Sequence, residues 1–188
     1  MSKWYIALIV CVLAGCSSKP TLLNYYTLHD PQTHSKTAPL SKSVKQVEMA
    51  RVKLPDYLKQ RNLAFLLSDT QLHFAPQHVW AEPLYDGVYQ SLGKSLMRDH
   101  GIYATPNMKY DADEKSLKVR IQIDDFISSY DGQVVLSGQY WVDHNGEESV
   151  YLFYFTLPLE EDGYPHTVRK MRAALTLLAA DVASNLPV

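Results

Sequence analysis

The chain has 188 residues, of which 46% are hydrophobic and 20% charged, a composition typical of one globular domain. Its 18 basic and 20 acidic residues give a net charge of −2, and the basic residues form no dense run. Because nucleic-acid binding needs concentrated positive charge, this composition excludes a nucleic-acid-binding protein.

A short apolar run opens the chain, from Trp4 to Leu13, with Lys3 before it. This is the layout of a secretory signal peptide, and about ten apolar residues are too few to span a bilayer as a helix. The run ends in a tetrapeptide that resembles the bacterial lipobox, formed by Leu13, Ala14, Gly15 and Cys16. We therefore predict that residues 1–15 are a lipoprotein signal peptide, recognised at its last three residues and cleaved before Cys16. Two alternatives stay open: an ordinary cleaved signal peptide with a chance cysteine, and an uncleaved anchor.

The predicted cleavage accounts for both cysteines. Cys11 leaves with the signal peptide and Cys16 carries the covalent lipid, so the remaining 173 residues (188 less 15) have no thiol for a disulfide, a metal or catalysis. Loss of Lys3 also moves the net charge from −2 to −3. One acyl chain binds a membrane at only about 10⁴ M⁻¹, so we expect more than one chain on Cys16.

We predict a lipidated tether over residues 16–24 and a single domain over residues 25–188. The aromatic and β-branched residues Tyr25–Leu28 predict a short strand that opens the domain. The polar, proline-containing residues 29–43 have no periodicity and predict an exposed loop.

The next part of the chain predicts short strands separated by turns. Residues 44–54 predict a strand with a bulge or kink near Ala50 and Arg51. Pro55 cannot continue a central strand, so residues 54–58 predict a turn or a single helical turn. Residues 63–67 and 72–75 predict a hairpin around a polar turn.

The first convincing helix follows Pro83 and ends before Gly101, which suits a helix C-terminus. Its apolar residues recur every four positions on one face, at Leu84, Val88, Leu92 and Leu96. A short strand at residues 102–104 is closed by Pro106, and residues 111–115 predict a charged turn.

Three consecutive strands make up most of the second half. Residues 117–124 alternate cleanly and predict a strand with one buried and one wet face. A turn at residues 130–132 leads to a strand over residues 133–142, in which Gly138 indicates a bulge or close packing. A turn carrying Asn145 and Gly146 then predicts a hairpin.

Residues 150–157 are apolar or aromatic on both faces of the predicted strand. This favours a central strand covered on both faces, and the alternative is a strand that shows one face to a partner. A long helix over residues 165–185 closes the chain, with one apolar stripe that favours packing on the sheet over a coiled coil or a membrane-surface helix. Together the elements predict one compact α/β (α+β) domain, with a mixed, largely antiparallel sheet and two main helices.

No catalytic constellation is found among these elements. The seven histidines have no metal-ligand spacing, and neither a nucleophile elbow nor a glycine-rich phosphate loop is present. The acidic pairs lie at predicted turns and strand ends, where solvated charge explains them. We predict that the protein is not an enzyme, and that it holds no metal and no cofactor beyond the lipid on Cys16.

The aromatic residues near turns are the best candidates for partner binding, because tyrosine and tryptophan are enriched at interfaces. The alternative is that these amphipathic side chains close the ends of a small core. We select six residues as candidate partner-binding residues: Tyr57, Trp80, Tyr130, Asp131, Gly132 and Tyr164.

Several motifs in this order resemble the ABC-type transport auxiliary lipoproteins, over essentially the whole mature chain. They are the lipobox, Tyr25–Leu28, Leu54–Leu58, Trp80–Leu84, Tyr130–Gly132 with Val134 and Ser137-Gly138, and Asp162–Tyr164. The resemblance implies a compact fold similar to the N-terminal domain of TolB, and a non-enzymatic subunit of intermembrane lipid transport. It further implies an outer-membrane anchor, which Ser17 after the cysteine fits, and homo-oligomeric rings. The implied partner is an MCE-domain protein that spans the periplasm from an inner-membrane component.

Two other classes of function stay open. One is a pore or secretion-channel lipoprotein similar to the curli exporter, which needs an amphipathic membrane hairpin that no loop here obviously supplies. The other is a lipid-binding carrier or a periplasmic hydrolase. A carrier predicts a long apolar cavity, whereas a hydrolase predicts a clustered nucleophile and base.

Overall fold

The structure is a computed structural model, and it describes residues 22–30, 44–106 and 117–187. Within these ranges eight strands form one sheet: β1 (Asn24–Tyr26), β2 (Lys45–Met49), β3 (Asn62–Leu66), β4 (Leu72–Trp80), β5 (Ile102–Pro106), β6 (Lys118–Ser129), β7 (Gln133–His144) and β8 (Glu147–Pro158). The helices are α1 (Leu84–His100), α2 (Tyr164–Ser184) and a short 3₁₀ helix (Asp56–Lys59). The predicted single domain of mixed sheet and two main helices is confirmed.

The long strand β6 organises the sheet. On one side it pairs antiparallel with β7, which in turn pairs antiparallel with β8. Its other edge is shared: the start of β6 pairs in parallel with β2, which continues to β5. The end of β6 pairs with β3, which continues to β4 and β1. The sheet therefore has two branches on one side of β6 and a long meander on the other.

Both helices bury their predicted apolar stripes. The α1 stripe of Leu84, Val88, Leu92 and Leu96 is buried, and α1 ends at Gly101, whose φ of 65° is the left-handed conformation that a glycine C-cap supplies. The α2 stripe is buried against the sheet and α1, at Val168, Met171, Leu175, Leu178 and Val182. Packing of the last helix on the sheet is therefore confirmed.

A buried polar contact joins the sheet to the end of α2. Tyr140 on β7 has no exposed surface, and its hydroxyl donates to the Asp181 carboxylate at 2.8 Å. The same hydroxyl accepts a hydrogen bond from the Asn185 side chain at 2.9 Å. Burial, together with the neighbouring Asp181, raises the pKa of the Tyr140 hydroxyl. The contact fixes α2 relative to β7.

Two strands, β4 and β6, each end five residues later than the sequence predicts. β4 continues through Pro76 to Trp80, because a register shift in its pairing with β3 accommodates a residue that cannot donate to the ladder. β6 continues past Asp124 because a bulge between Ile123 and Asp125 resets its register with β7.

Gly138 on β7 makes the β6 bulge possible. Its φ is 154°, and a Cβ at this position would lie 2.2 Å from the Gln122 carbonyl oxygen and 2.9 Å from the ring of Phe153. Only glycine allows the two strands to approach so closely. The predicted bulge or close packing at Gly138 is confirmed.

The predicted kink in the second strand is also confirmed. β2 ends at Met49, and Lys53 then forms an isolated parallel bridge with Gln122 of β6. Lys53 lies five positions after Glu48, but Gln122 lies only four positions after Lys118, the partner of Glu48, so this segment carries one extra residue. The predicted helical turn after it is the 3₁₀ helix.

Several predictions fall outside the described residues. They are the signal peptide over residues 1–15, the lipidation of Cys16, most of the tether, most of the 29–43 loop and the charged turn at residues 111–115.

Candidate functional site

Trp80 lies in the core. It is the last residue of β4, its side chain is 5% exposed, and it packs near Leu58, Leu84 and Met171. A partner cannot contact a side chain buried in this way, so the structure removes Trp80 from the surface that the sequence proposed. It acts as one of the aromatic residues that close the core, which is the alternative given above.

Tyr57 and Tyr164 are half-buried and have intramolecular partners. The Tyr57 hydroxyl donates to the Asp125 carboxylate at 3.2 Å, and burial with the nearby Asp125 raises the pKa of this tyrosine. Tyr164 at the start of α2 stacks on His78, with ring centroids 3.5 Å apart, and meets Phe65 edge-on at 5.1 Å. Both tyrosines therefore hold elements of the fold together.

The turn of Tyr130, Asp131 and Gly132 is exposed at one end of the β6–β7 hairpin. The Tyr130 side chain is 63% exposed, and Gly132 adopts a positive φ of 74° that the turn requires. The Asp131 carboxylate accepts from Ser129, and the Gly132 carbonyl accepts from the Leu159 amide at 2.8 Å. The turn is rigid and accessible, so it stays a candidate contact.

The structure places a larger apolar surface on β8. Val150, Leu152 and Tyr154 point away from the helices and are 54%, 81% and 71% exposed; we call these three residues the β8 stripe. The favoured prediction of a strand covered on both faces is therefore wrong. β8 pairs with β7 alone in the described chain, so it is an edge strand, and only the opposite face, at Phe153, is buried.

The β8 stripe continues onto the neighbouring strands. Val150 lies opposite Trp141 of β7, which in turn lies opposite Arg120 of β6. The Arg120 guanidinium stands 5.4 Å from the Trp141 ring centroid and pairs with Glu148. An apolar edge bordered by charged residues is the arrangement of a protein-binding surface. In the sequence, the apolar and aromatic side chains on both faces of residues 150–157 indicated this surface.

The described ranges contain no cluster of three or more histidine, cysteine, aspartate or glutamate residues able to hold a metal ion. Among the described helices, none combines the length and the apolar character needed to cross a membrane.

The chain matches the model of the ABC-type transport auxiliary lipoprotein component over residues 26–183, and it belongs to this family. It is similar to the intermembrane transport lipoprotein PqiC of Escherichia coli (strain K12) and to that of Shigella flexneri. Each is 26% identical over 186 residues, covering 99% of this chain and 98% of the relative. The resemblance to this family that the sequence predicts, and within the family to PqiC, is confirmed.

Solved structures show the same fold. A crystal structure of an uncharacterized protein superposes with a TM-score of 0.72 at 24% identity, over 87% of this chain and 97% of that one. A Xanthomonas campestris protein superposes with a TM-score of 0.58 at 14% identity, over 76% of this chain and 85% of that one.

Proposed function

We propose that this protein is a non-enzymatic, lipid-anchored subunit of an intermembrane lipid transport system, and that it docks a periplasm-spanning MCE-domain protein. The proposal rests on membership of the transport auxiliary family and on the name of the PqiC relatives. In this role the protein stabilises the conduit where it meets the membrane and so supports membrane integrity.

The observation that carries the docking role is the β8 stripe. Its three side chains expose apolar surface beside a strand edge whose backbone groups have no strand partner in the described chain. Such an edge accepts an added strand through main-chain hydrogen bonds, and alternate side chains provide the specificity. The occupant that we propose is the MCE-domain, PqiB-like protein, which an inner-membrane component joins at its other end.

The lipid on Cys16 limits how far the domain, and with it this surface, can lie from the membrane. Asn24, where β1 begins, lies eight positions after Cys16, and this stretch spans at most about 30 Å when fully extended. The anchored domain therefore stays within that distance of the membrane. We propose the periplasmic face of the outer membrane as its location, because Ser17 follows the cysteine.

The helix–sheet interface favours docking over the role of a lipid carrier. Leu136 of β7 and Leu175 and Leu178 of α2 have no exposed surface, and these side chains fill the space between the two layers. An acyl chain would need a long apolar cavity at that interface.

Affinity purification of the tagged full-length lipoprotein from membranes tests the function, with identification of what co-purifies. We expect an MCE-domain protein to be recovered, and Leu152→Asp to reduce its recovery. Leu177→Asp is the matched control, since Leu177 is 44% exposed on α2, away from β8. Recovery of only phospholipid in a one-to-one complex would instead indicate a carrier, and channel activity of the isolated protein in bilayers would indicate a pore. A ring of identical chains in the recovered complex would support the homo-oligomer that we also propose.

A further inference from the structure

An open cleft of about 550 Å³ lies where the kinked segment after β2 meets the bulge of β6 and the start of α1. Residues 51–55 form one wall, Gln122, Ile123 and Asp124 a second, and Tyr85 a third. Backbone hydrogen bonds fix the two strands on either side, since the Lys53 amide donates to Ile121 at 3.0 Å and the Ile123 amide donates to Lys53 at 2.9 Å. The volume is that of a small-molecule site.

The cleft gathers positive charge in a chain whose net charge is negative. Arg51, Lys53 and Lys59 all line it, against the single carboxylate of Asp124. Lys59 pairs with Asp56 at 2.6 Å, but Arg51 and Lys53 have no ion pair anywhere in the described ranges. Two cations that pair with no carboxylate of the described residues, at the same cleft, favour the binding of an anion there.

Arg51 is held in position to bind such an anion. Its guanidinium lies 3.6 Å from the centroid of the Tyr85 ring, a stacked arrangement that orders the side chain without using its N–H donors. A stacked guanidinium presents a planar pair of donors, which matches two oxygens of a phosphate. Lys53 adds a second charge from the same exposed side of the segment.

The walls of the cleft also include apolar residues. Pro55 and Tyr85 are half-buried and border the cleft with apolar surface, while Val52, Leu54 and Ile123 lie buried behind this lining. A cleft with both cations and apolar walls fits an anion that carries an apolar body better than it fits a free inorganic ion.

The cleft is linked through Lys59 and Arg61 to β1, the strand nearest to Cys16 in the sequence. Lys59 lines this cleft and also a neighbouring one that includes Arg61. The Arg61 guanidinium in turn stands 5.3 Å from the ring of Tyr25 on β1. With the lipid anchor of the proposed function, on which this step rests, phospholipid headgroups are the anionic amphiphiles nearest to the domain.

We infer that this cleft binds the phosphate of an anionic amphiphile, with Arg51 and Lys53 on the phosphate oxygens and the apolar walls beside its glycerol and first acyl carbons. The shared chemistry is a phosphate ester, which a phospholipid headgroup supplies and which free phosphate imitates in part.

Calorimetry on the full-length lipoprotein in an uncharged detergent tests the inference. The probes are dihexanoyl phosphatidylglycerol, inorganic phosphate, and dihexanoylglycerol, which has the apolar body without the phosphate. We expect the phosphatidylglycerol to bind, and dihexanoylglycerol to bind at least about tenfold more weakly. A tenfold loss of affinity corresponds to the contribution of one charge-assisted hydrogen bond. The double variant Arg51→Gln, Lys53→Gln is expected to lose at least the same factor. Arg169→Gln is the matched control, an exposed arginine outside the cleft, and it should leave the affinity unchanged.

The outcomes distinguish a lipid headgroup from a free phosphate ester as the ligand of the cleft. Phosphatidylglycerol that binds more tightly than inorganic phosphate assigns the cleft to a lipid headgroup, and equal binding assigns it to a free phosphate ester. Failure of both to bind, equal loss in the Arg169→Gln control, or an unchanged affinity in the double variant would overturn the inference. Thermal melting of the double variant confirms that it is folded. Since this assay needs no MCE-domain protein, its result is independent of whether that partner co-purifies.

Discussion

Replacing Gly138 with alanine tests how the bulge in β6 is built. The added methyl group would lie 2.2 Å from the Gln122 carbonyl oxygen and 2.9 Å from Phe153, at a φ of 154° that side chains rarely adopt. The carbonyl belongs to backbone that β7 holds in place, so it cannot move without breaking the ladder. We expect a loss of about 3 kcal/mol in the free energy of unfolding, from backbone strain and overpacking together. For a domain of this size the melting temperature should fall by about 6–12 °C.

Gly93→Ala is the matched control, with the same change of one methyl group. Gly93 lies within α1, and its added Cβ would make only ordinary contact with Ala104 at 3.8 Å. Removing a glycine from a helix interior should raise stability by about 0.5–1 kcal/mol. Differential scanning calorimetry of the two variants measures whether the melting temperature falls for Gly138→Ala and rises for Gly93→Ala. A Gly138→Ala protein that melts within about 2 °C of the wild type would refute this explanation of the bulge.

Three further perturbations have defined outcomes. Tyr140→Phe removes the hydroxyl that joins Asp181 to Asn185, and the free energy of unfolding measured in urea should fall by about 1.5–3 kcal/mol. The control is Tyr151→Phe, on the half-buried ring stacked against Tyr140, and it should change this free energy little. Arg172→Met keeps an unbranched apolar stem but loses the 2.6 Å hydrogen bond to the Leu28 carbonyl, so amide hydrogen exchange at residues 27–30 should accelerate. The exposed Arg169→Met should leave these exchange rates unchanged, and equal rates in the two variants would contradict the role of Arg172. Cys16→Ala should move the protein out of the membrane fraction and leave its melting temperature unchanged, and an unfolded variant would show that anchor and domain are not separate.

The periodic elements could be predicted from the sequence because local signals and tertiary packing agree in them. The stripes of α1 and α2, the glycine that ends α1 and the bulge at Gly138 all follow from spacing and backbone geometry. Strand ends were less predictable. β4 passes through Pro76 and β6 passes through its own bulge because pairing with neighbouring strands, which no local pattern encodes, decides where each strand ends.

The candidate site was predicted only in part. Whether an aromatic side chain closes the core or faces solvent depends on what packs against it, and the sequence does not show that Trp80 is buried and Tyr130 exposed. The apolar character of both faces of β8 was visible, but its position at the edge of the sheet follows from topology. The cationic cleft joins residues that are far apart in sequence, Arg51, Tyr85 and Gln122, so only the fold brings them together.

Site-specific photo-crosslinking from the β8 stripe tests the central claim most directly. A photoreactive phenylalanine analogue at Leu152 of the full-length lipoprotein, irradiated in intact cells, should crosslink to an MCE-domain protein. The same analogue at Leu177, exposed on α2, should not. Crosslinks of equal yield from both positions, or none to an MCE-domain protein from Leu152, would contradict docking of the conduit on β8.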